Sequence, residues 1–195
     1  MSTFLGVIIA SWAAFILVWL GLSFFVKRDV RGGRFARAYQ VRMLVIAILV
    51  VVIVRALRRH RSATHHLANS LVVFTPSLSL AWIGVALTVL GIAVAIWARL
   101  YLGRNWSASP AVKEGHELVT TGPYAFVRHP IYSGITLATL GTALTGSIFG
   151  IAFFIIVTTI FLFRVGTEER YMLELFPGTY PAYRARTKRL VPLIW

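Results

Sequence analysis

Only six carboxylates stand against 20 lysines and arginines in a chain of 195 residues, so each acidic residue can be weighed singly. Glu168, Glu169 and Glu174 follow a long apolar stretch, Glu114 and Glu117 lie in a polar segment, and Asp29 lies in a basic loop. Arg164 and Glu168 are four positions apart and share a helix face, with Glu169 about one and a half turns from Arg164. That spacing fits an interfacial helix carrying a surface ion pair, or carboxylates held ready for proton transfer. A second concentration is Gly122-Pro123-Tyr124-Ala125-Phe126-Val127-Arg128-His129-Pro130-Ile131-Tyr132, where a cation, one imidazole and three aromatic rings meet the edge of an apolar run. Tyr124, Phe126 and Tyr132 fit an interfacial aromatic belt, Arg128 an inside anchor, and Pro130 the first turn of a helix. His129 has no such ready structural use. One histidine is not a metal site, and neither H-E-x-x-H nor any other ligand spacing occurs, so no metal is expected. The absence of cysteine removes thiol nucleophiles and Cys-ligated metals. No Gly-rich phosphate loop and no G-x-S-x-G is present, which leaves nucleotide hydrolysis and serine-hydrolase chemistry without support.

The elements that must position these residues are set by composition. At 58% hydrophobic and 13% charged residues, the chain cannot be an ordinary soluble enzyme, and it is too apolar to be disordered. Its net charge of +14 arises from cations that flank apolar stretches. Anionic headgroups and cytoplasmic loops account for such cations, so nucleic acid is not the expected partner. Thr3 to Val26 is an uncharged run long enough to cross about 30 Å of hydrocarbon, with no basic residue before it as a signal peptide requires. Tyr39 to Leu57 reads as a second span with snorkelling arginines, and Ser77 to Ala98 as a third. Ile131 to Phe163 is too long for one crossing and short for two; Gly141-Thr142-Ala143-Leu144-Thr145-Gly146 marks the turn of a helical hairpin. Its second arm is expected to continue through Arg164 to Leu175, where Pro177-Gly178 ends it. Gly146-x-x-x-Gly150 favours close helix packing.

These elements predict an all-α integral membrane protein of about five transmembrane helices. Three spans fill residues 1–98, and a region at 99–195 combines a loop, the hairpin and a tail. With the N-terminus outside, 16 basic residues fall on the inner side and four, Arg55, Arg58, Arg59 and Arg61, on the outer. The positive-inside rule then puts the loop, the tail and any active site in the cytosol. A transporter would be expected to show internal repeats and broken helices, and neither is seen. A bare anchor has no need for polar groups gathered at one membrane mouth.

From Tyr101 onward the order of these pieces resembles the isoprenylcysteine carboxyl methyltransferase family, which shares its C-terminal half with membrane phospholipid methyltransferases. The resemblance rests on Leu102-Gly103-Arg104-Asn105-Trp106-Ser107, Gly115-His116-Glu117-Leu118-Val119, Gly122-Pro123-Tyr124 and Arg128-His129-Pro130-Ile131-Tyr132. It continues through the hairpin, Glu168-Glu169, Phe176-Pro177-Gly178-Thr179-Tyr180-Pro181-Ala182-Tyr183 and Arg189-Leu190-Val191-Pro192. The family usually has Phe-Gly where this chain has Phe176-Pro177-Gly178. The resemblance implies S-adenosylmethionine as cofactor, held in a C-terminal pocket closed over the membrane face. By position, His116, Leu118, Val119, Gly122 and Tyr124 would line the cofactor loop, and Arg128, His129, Pro130 and Tyr132 the pocket wall and entrance. Glu168 and Glu169 would contact cofactor or acceptor, with Arg164 near the acceptor. Methyl transfer from a sulfonium needs placement and exclusion of water and no metal, and Tyr124, Tyr132 and Trp106 offer cation–π contacts. The acceptor is expected to be lipophilic and to enter from the bilayer, with the carboxylate of an isoprenylcysteine-like molecule favoured. A phospholipid amine, a small thiol and a sterol-reductase-like use of NADPH remain as alternatives. A carboxylate would be oriented by Arg128 or Arg164, whereas an amine would need Glu168 or Glu169 as base. No protein partner is evident.

Overall fold

The computed structural model describes residues 3–23, 29–31, 72–106, 112–113 and 117–192. The proposed second span, Tyr39 to Leu57, and His116 lie outside these residues. Among the described residues there are five α-helices: α1 (Thr3–Ser23), α2 (Leu78–Leu102), α3 (Pro130–Ala143), α4 (Ile148–Leu175) and α5 (Tyr180–Arg186). Two short strands, β1 (Asp29–Arg31) and β2 (Val112–Lys113), pair antiparallel and are a small element among mostly helical described residues.

Local chemistry sets the helix ends. The Ser77 hydroxyl accepts the Leu80 amide at 3.2 Å and opens α2 one residue after Pro76. Gly103, at φ 55°, closes α2 by donating its amide to the Arg99 carbonyl. Pro130 occupies the first turn of α3, as expected. The hairpin turn falls between Ala143 and Ile148, where Gly146 adopts φ 79° against the Phe74 carbonyl and leaves no room for a side chain. The second arm, α4, runs for 28 residues to Leu175, as the sequence requires.

Among the described residues, α1, α2 and α4 are long and apolar enough to cross a membrane, and the chain is an integral membrane protein. With 14 residues, α3 reaches about 21 Å at 1.5 Å per residue and is the short arm of the hairpin. Small residues bring α2 and α3 into backbone contact: a Cβ at Gly91 would fall on the main chain of Gly134 and Ala138. The buried Thr88 hydroxyl donates across this seam toward the Ala138 carbonyl at 3.2 Å, and the Trp12 indole of α1 donates to Thr142 of α3 at 3.0 Å. Interhelical bonds of this kind contribute on the order of 0.6 kcal/mol each in a membrane. Gly150 packs against Thr142 and Ala143, so the small-residue pair at the turn serves hairpin packing.

The described segments also fix which ends lie together. Arg99 near the end of α2 bonds the Leu22 carbonyl near the end of α1, so these two helices run parallel. At the opposite end, the Val73 amide donates to the Gly146 carbonyl at 2.8 Å. The start of α3 and the end of α4 join the Arg99 end, where the polar residues collect.

Candidate active site

The first turn of α3 and the last turns of α4 bring together Tyr132, Arg164 and Glu168. The Tyr132 hydroxyl donates to Glu168 Oε1 at 2.5 Å, and Arg164 reaches the same oxygen from Nη2 at 3.0 Å and the Tyr132 oxygen from Nε at 3.2 Å. The Tyr132 ring stacks between His129, at 5.6 Å between centroids and 3° between planes, and Phe161, at 4.2 Å and 12°. His129 thus presents an imidazole fixed by a ring three positions later. Its Nδ1 lies 3.6 Å from Glu168 Oε2. Its Nε2 is buried without a hydrogen-bond partner, 3.7 Å from Glu169 Oε1.

Glu169 is one residue on and faces elsewhere. Its side chain is 4% exposed, and Arg128 Nε donates to Oε1 at 2.7 Å. Arg189 at 3.3 Å and Arg184 at 3.8 Å approach Oε2. Arg128 also donates to the Arg184 carbonyl at 3.1 Å and to the Thr187 carbonyl. Main-chain amides of Arg128 and His129 donate to the Lys188 and Arg189 carbonyls at 2.8 and 3.1 Å. The Ser133 hydroxyl binds the Leu190 carbonyl at 2.5 Å. Together these contacts lash the tail to the start of α3.

Between the two clusters lies a cavity of about 180 Å³. Leu118, Val119, Tyr124, Arg128, His129, Tyr132 and Glu168 border it. Tyr124 is buried; its hydroxyl donates to the Ala98 carbonyl at 3.4 Å, and its own carbonyl accepts the Tyr183 hydroxyl at 2.7 Å. Burial raises the pKa of the Tyr124 hydroxyl well above the ordinary tyrosine range, which keeps it a neutral donor.

Other expected members stand back from the cavity. Gly122 sits in a turn at φ 59° with the Tyr101 ring where a Cβ would be, so its role is to seat the turn that presents Tyr124. Pro130 is buried as the first residue of α3 and does not border the cavity. Arg164 flanks it through Glu168 and Tyr132, and Glu169 is turned into the tail. Arg128, Arg164 and Glu169 therefore do not form the single acceptor cluster expected from the sequence: Arg164 belongs with Glu168, and Arg128 with Glu169. Phe126 is 64% exposed, as befits an interfacial aromatic.

Sequence reasoning did not single out Tyr171, Met172, Tyr180 and Tyr183 as lining residues, and all four border the cavity. Tyr171 and Met172 follow Glu168 by three and four positions, a one-face spacing that could have found them. Tyr180 and Tyr183 are brought in by α5. The additional Pro177 is taken up in the turn before α5, where Phe176 accepts the Thr179 and Tyr180 amides at 3.2 and 2.9 Å. The tail docks despite it.

An apolar helical bundle whose one polar end holds a partly open, aromatic-lined cavity defines the class: a helical membrane protein with a candidate small-molecule site. Residues 82–174 match the model of the isoprenylcysteine carboxyl methyltransferase family, in agreement with the resemblance seen in the sequence. Protein-S-isoprenylcysteine O-methyltransferase B of Arabidopsis thaliana is 33% identical over 63% of this chain and 66% of its own length. Methanethiol S-methyltransferase 1 of Bradyrhizobium diazoefficiens is 39% identical over 35% of this chain and 24% of its own. A solved structure of the eukaryotic intramembrane Ras methyltransferase of the same family superposes with a TM-score of 0.52 at 28% identity, covering 60% of this chain and 45% of that one. The chain thus spans less than two thirds of the length of these relatives.

Proposed function

We propose that the protein is an integral membrane methyltransferase that uses S-adenosylmethionine and a lipophilic acceptor, with the carboxylate of an isoprenylcysteine-like molecule as the favoured acceptor. The observation that carries this reading is the aromatic-lined cavity, built largely by the family-matching segment and bordered by His129 and Glu168. The residues present fit the cofactor. Tyr124 and Tyr132 supply aromatic surface for a cation, and the buried Nε2 of His129, only 3.7 Å from Glu169 Oε1 and in no hydrogen bond, could donate to a polar ligand. When bound, S-adenosylmethionine supplies a sulfonium-activated methyl group. Leu118 and Val119 would hold its apolar surface, and the docked tail, through Tyr180 and Tyr183, would exclude water. His116, placed by the sequence in the same loop, would complete the set.

Arg164, 39% exposed and reaching Glu168, would orient an acceptor carboxylate at the bilayer side of the cavity. Glu168 would take the proton of an amine or thiol acceptor. Arg128 and Glu169 act as positioning residues that keep the tail closed. The methanethiol methyltransferase relative favours a small thiol as the second reading. Residues 1–98 would serve as membrane scaffold and 99–195 as the reacting region.

The cavity end would face the cytosol, consistent with the excess of basic residues there and with the lengthwise order of the described segments.

Incubation of the purified protein with labelled S-adenosylmethionine and an isoprenylcysteine analogue, followed by mass spectrometry, tests the reading. A product one methyl heavier is expected. Binding of NADPH in place of S-adenosylhomocysteine would transfer the assignment to reductase chemistry.

A further inference from the structure

Arg99 is a buried cation with no place in the chemistry above. It is 2% exposed at the last turns of α2, where hydropathy counting makes it an ordinary membrane-flanking residue. Its Nη1 donates to the Gly103 carbonyl at 2.8 Å, and its Nη2 to the Leu22 carbonyl of α1 at 2.9 Å. The guanidinium carbon lies 4.5 Å from the centre of the Trp106 ring and 5.8 Å from that of Trp19. The two indoles meet edge to face at 5.6 Å. Gly103 opens the turn Gly103–Asn105, and both Asn105 and Trp106 border the cavity. One side chain therefore pins the backbone of a cavity wall, stacks on its indole and ties both to a helix that lies outside the family-matching segment.

From these contacts we infer that Arg99 is a positioning residue for the cofactor cavity, and that through Leu22 and Trp19 it makes the N-terminal helix α1 a structural part of the cofactor site. The planar guanidinium is what allows two carbonyls and a ring face to be met at once. A lysine ammonium keeps the charge but cannot reproduce that fork and stack. Removal of the desolvated cation–π contact and of the Gly103 bond frees Trp106 to leave the wall, which enlarges the cavity without touching the reacting atoms.

The inference rests on the cofactor reading above, and the experiment separates the two. Wild type, Arg99→Lys, Trp106→Phe, the double variant and Trp19→Leu are titrated with S-adenosylhomocysteine in detergent and assayed with a methyl acceptor. Arg99→Lys is expected to raise the Kd for S-adenosylhomocysteine and the KM for S-adenosylmethionine about tenfold. The kcat at saturating cofactor and the KM for the acceptor should hold near wild type, a split that general loosening of the fold would not produce. Losses in the double variant should be less than multiplicative, because both changes break one contact. If Arg99→Lys does not yield folded protein, Trp19→Leu on α1 decides: weakened binding of S-adenosylhomocysteine supports the inference and wild-type affinity overturns it. A folded Arg99→Lys protein with wild-type affinity overturns it equally. Wild-type protein without affinity for S-adenosylhomocysteine removes the cofactor reading and this inference with it.

Discussion

Glu168 and Glu169 are neighbours in sequence, yet they serve two different regions. At 100° per residue, one step along α4 turns the first carboxylate to the cavity and the second into the tail. Glu168 is 24% exposed and meets a tyrosine, an arginine and the edge of an imidazole. Glu169 is 4% exposed and is gripped by Arg128 and Arg189, with Arg184 farther off. The first arrangement leaves a carboxylate open to a ligand. The second does not, because Arg128 and Arg189 occupy the carboxylate and Arg128 is bound in turn to the main chain of the tail. Adjacent residues of one type thus divide the cavity border from the docked tail.

The division predicts opposite signatures, and the largest effect belongs to the closed side. Glu169→Gln leaves the almost fully buried Arg128 without its carboxylate, which costs about 3 kcal/mol for a broken buried pair. The thermal midpoint in detergent should fall by several degrees, and the tail beyond Leu175 should become sensitive to protease. Turnover would then fall with every acceptor alike. A Glu169→Gln protein of wild-type stability that loses activity with amine or thiol acceptors alone would return Glu169 to the reacting group and erase the distinction.

On the open side the order is reversed. Glu168→Gln is expected to lower turnover about 100-fold with an acceptor that must lose a proton, while the unfolding midpoint shifts little. Arg164→Ala should raise the KM of a carboxylate acceptor about tenfold and leave the affinity for S-adenosylhomocysteine unchanged. Equal changes in both constants would place Arg164 at the cofactor.

How far this division could be read in advance depends on the kind of signal. The first and third spans, the hairpin turn and the stop at Pro177-Gly178 follow from local rules of charge, length and turn chemistry, and the structure places them within a few residues. The rotation of α4 does not follow from such rules. Spacing says that Glu168 and Glu169 point apart, but only the packing of α3 and the tail decides which of them meets the cavity. Arg99 was illegible for the same reason: at the end of an apolar run, a cation that snorkels and one that is buried against two indoles read alike. Gly122 matched a motif because its turn, not its contact with a ligand, needs that residue. The short α3 shows why counting spans from 33 uncharged residues is less secure than locating the turn within them.

The smallest predicted effect probes the seam where the two regions touch. The Tyr183 hydroxyl, carried by α5, donates to the Tyr124 carbonyl at 2.7 Å in a buried setting and ties the tail to the turn Gly122–Ala125, the proposed cofactor loop. Burial raises the pKa of this hydroxyl as well, so it stays protonated across the working range and donates throughout. Tyr183→Phe keeps the ring in the cavity wall and removes only the donor, leaving the Tyr124 carbonyl unsatisfied at a cost of about 1 kcal/mol. If the tail positions the cofactor loop, that loss should appear as weaker binding of S-adenosylhomocysteine, about fivefold, with a small drop in thermal midpoint. If closure merely covers the cavity, the midpoint should fall by the same amount and the affinity should hold. Calorimetry on Tyr183→Phe beside Glu169→Gln distinguishes the cases, since only a mechanical coupling of tail to loop lets a single buried hydroxyl alter binding without disturbing either carboxylate.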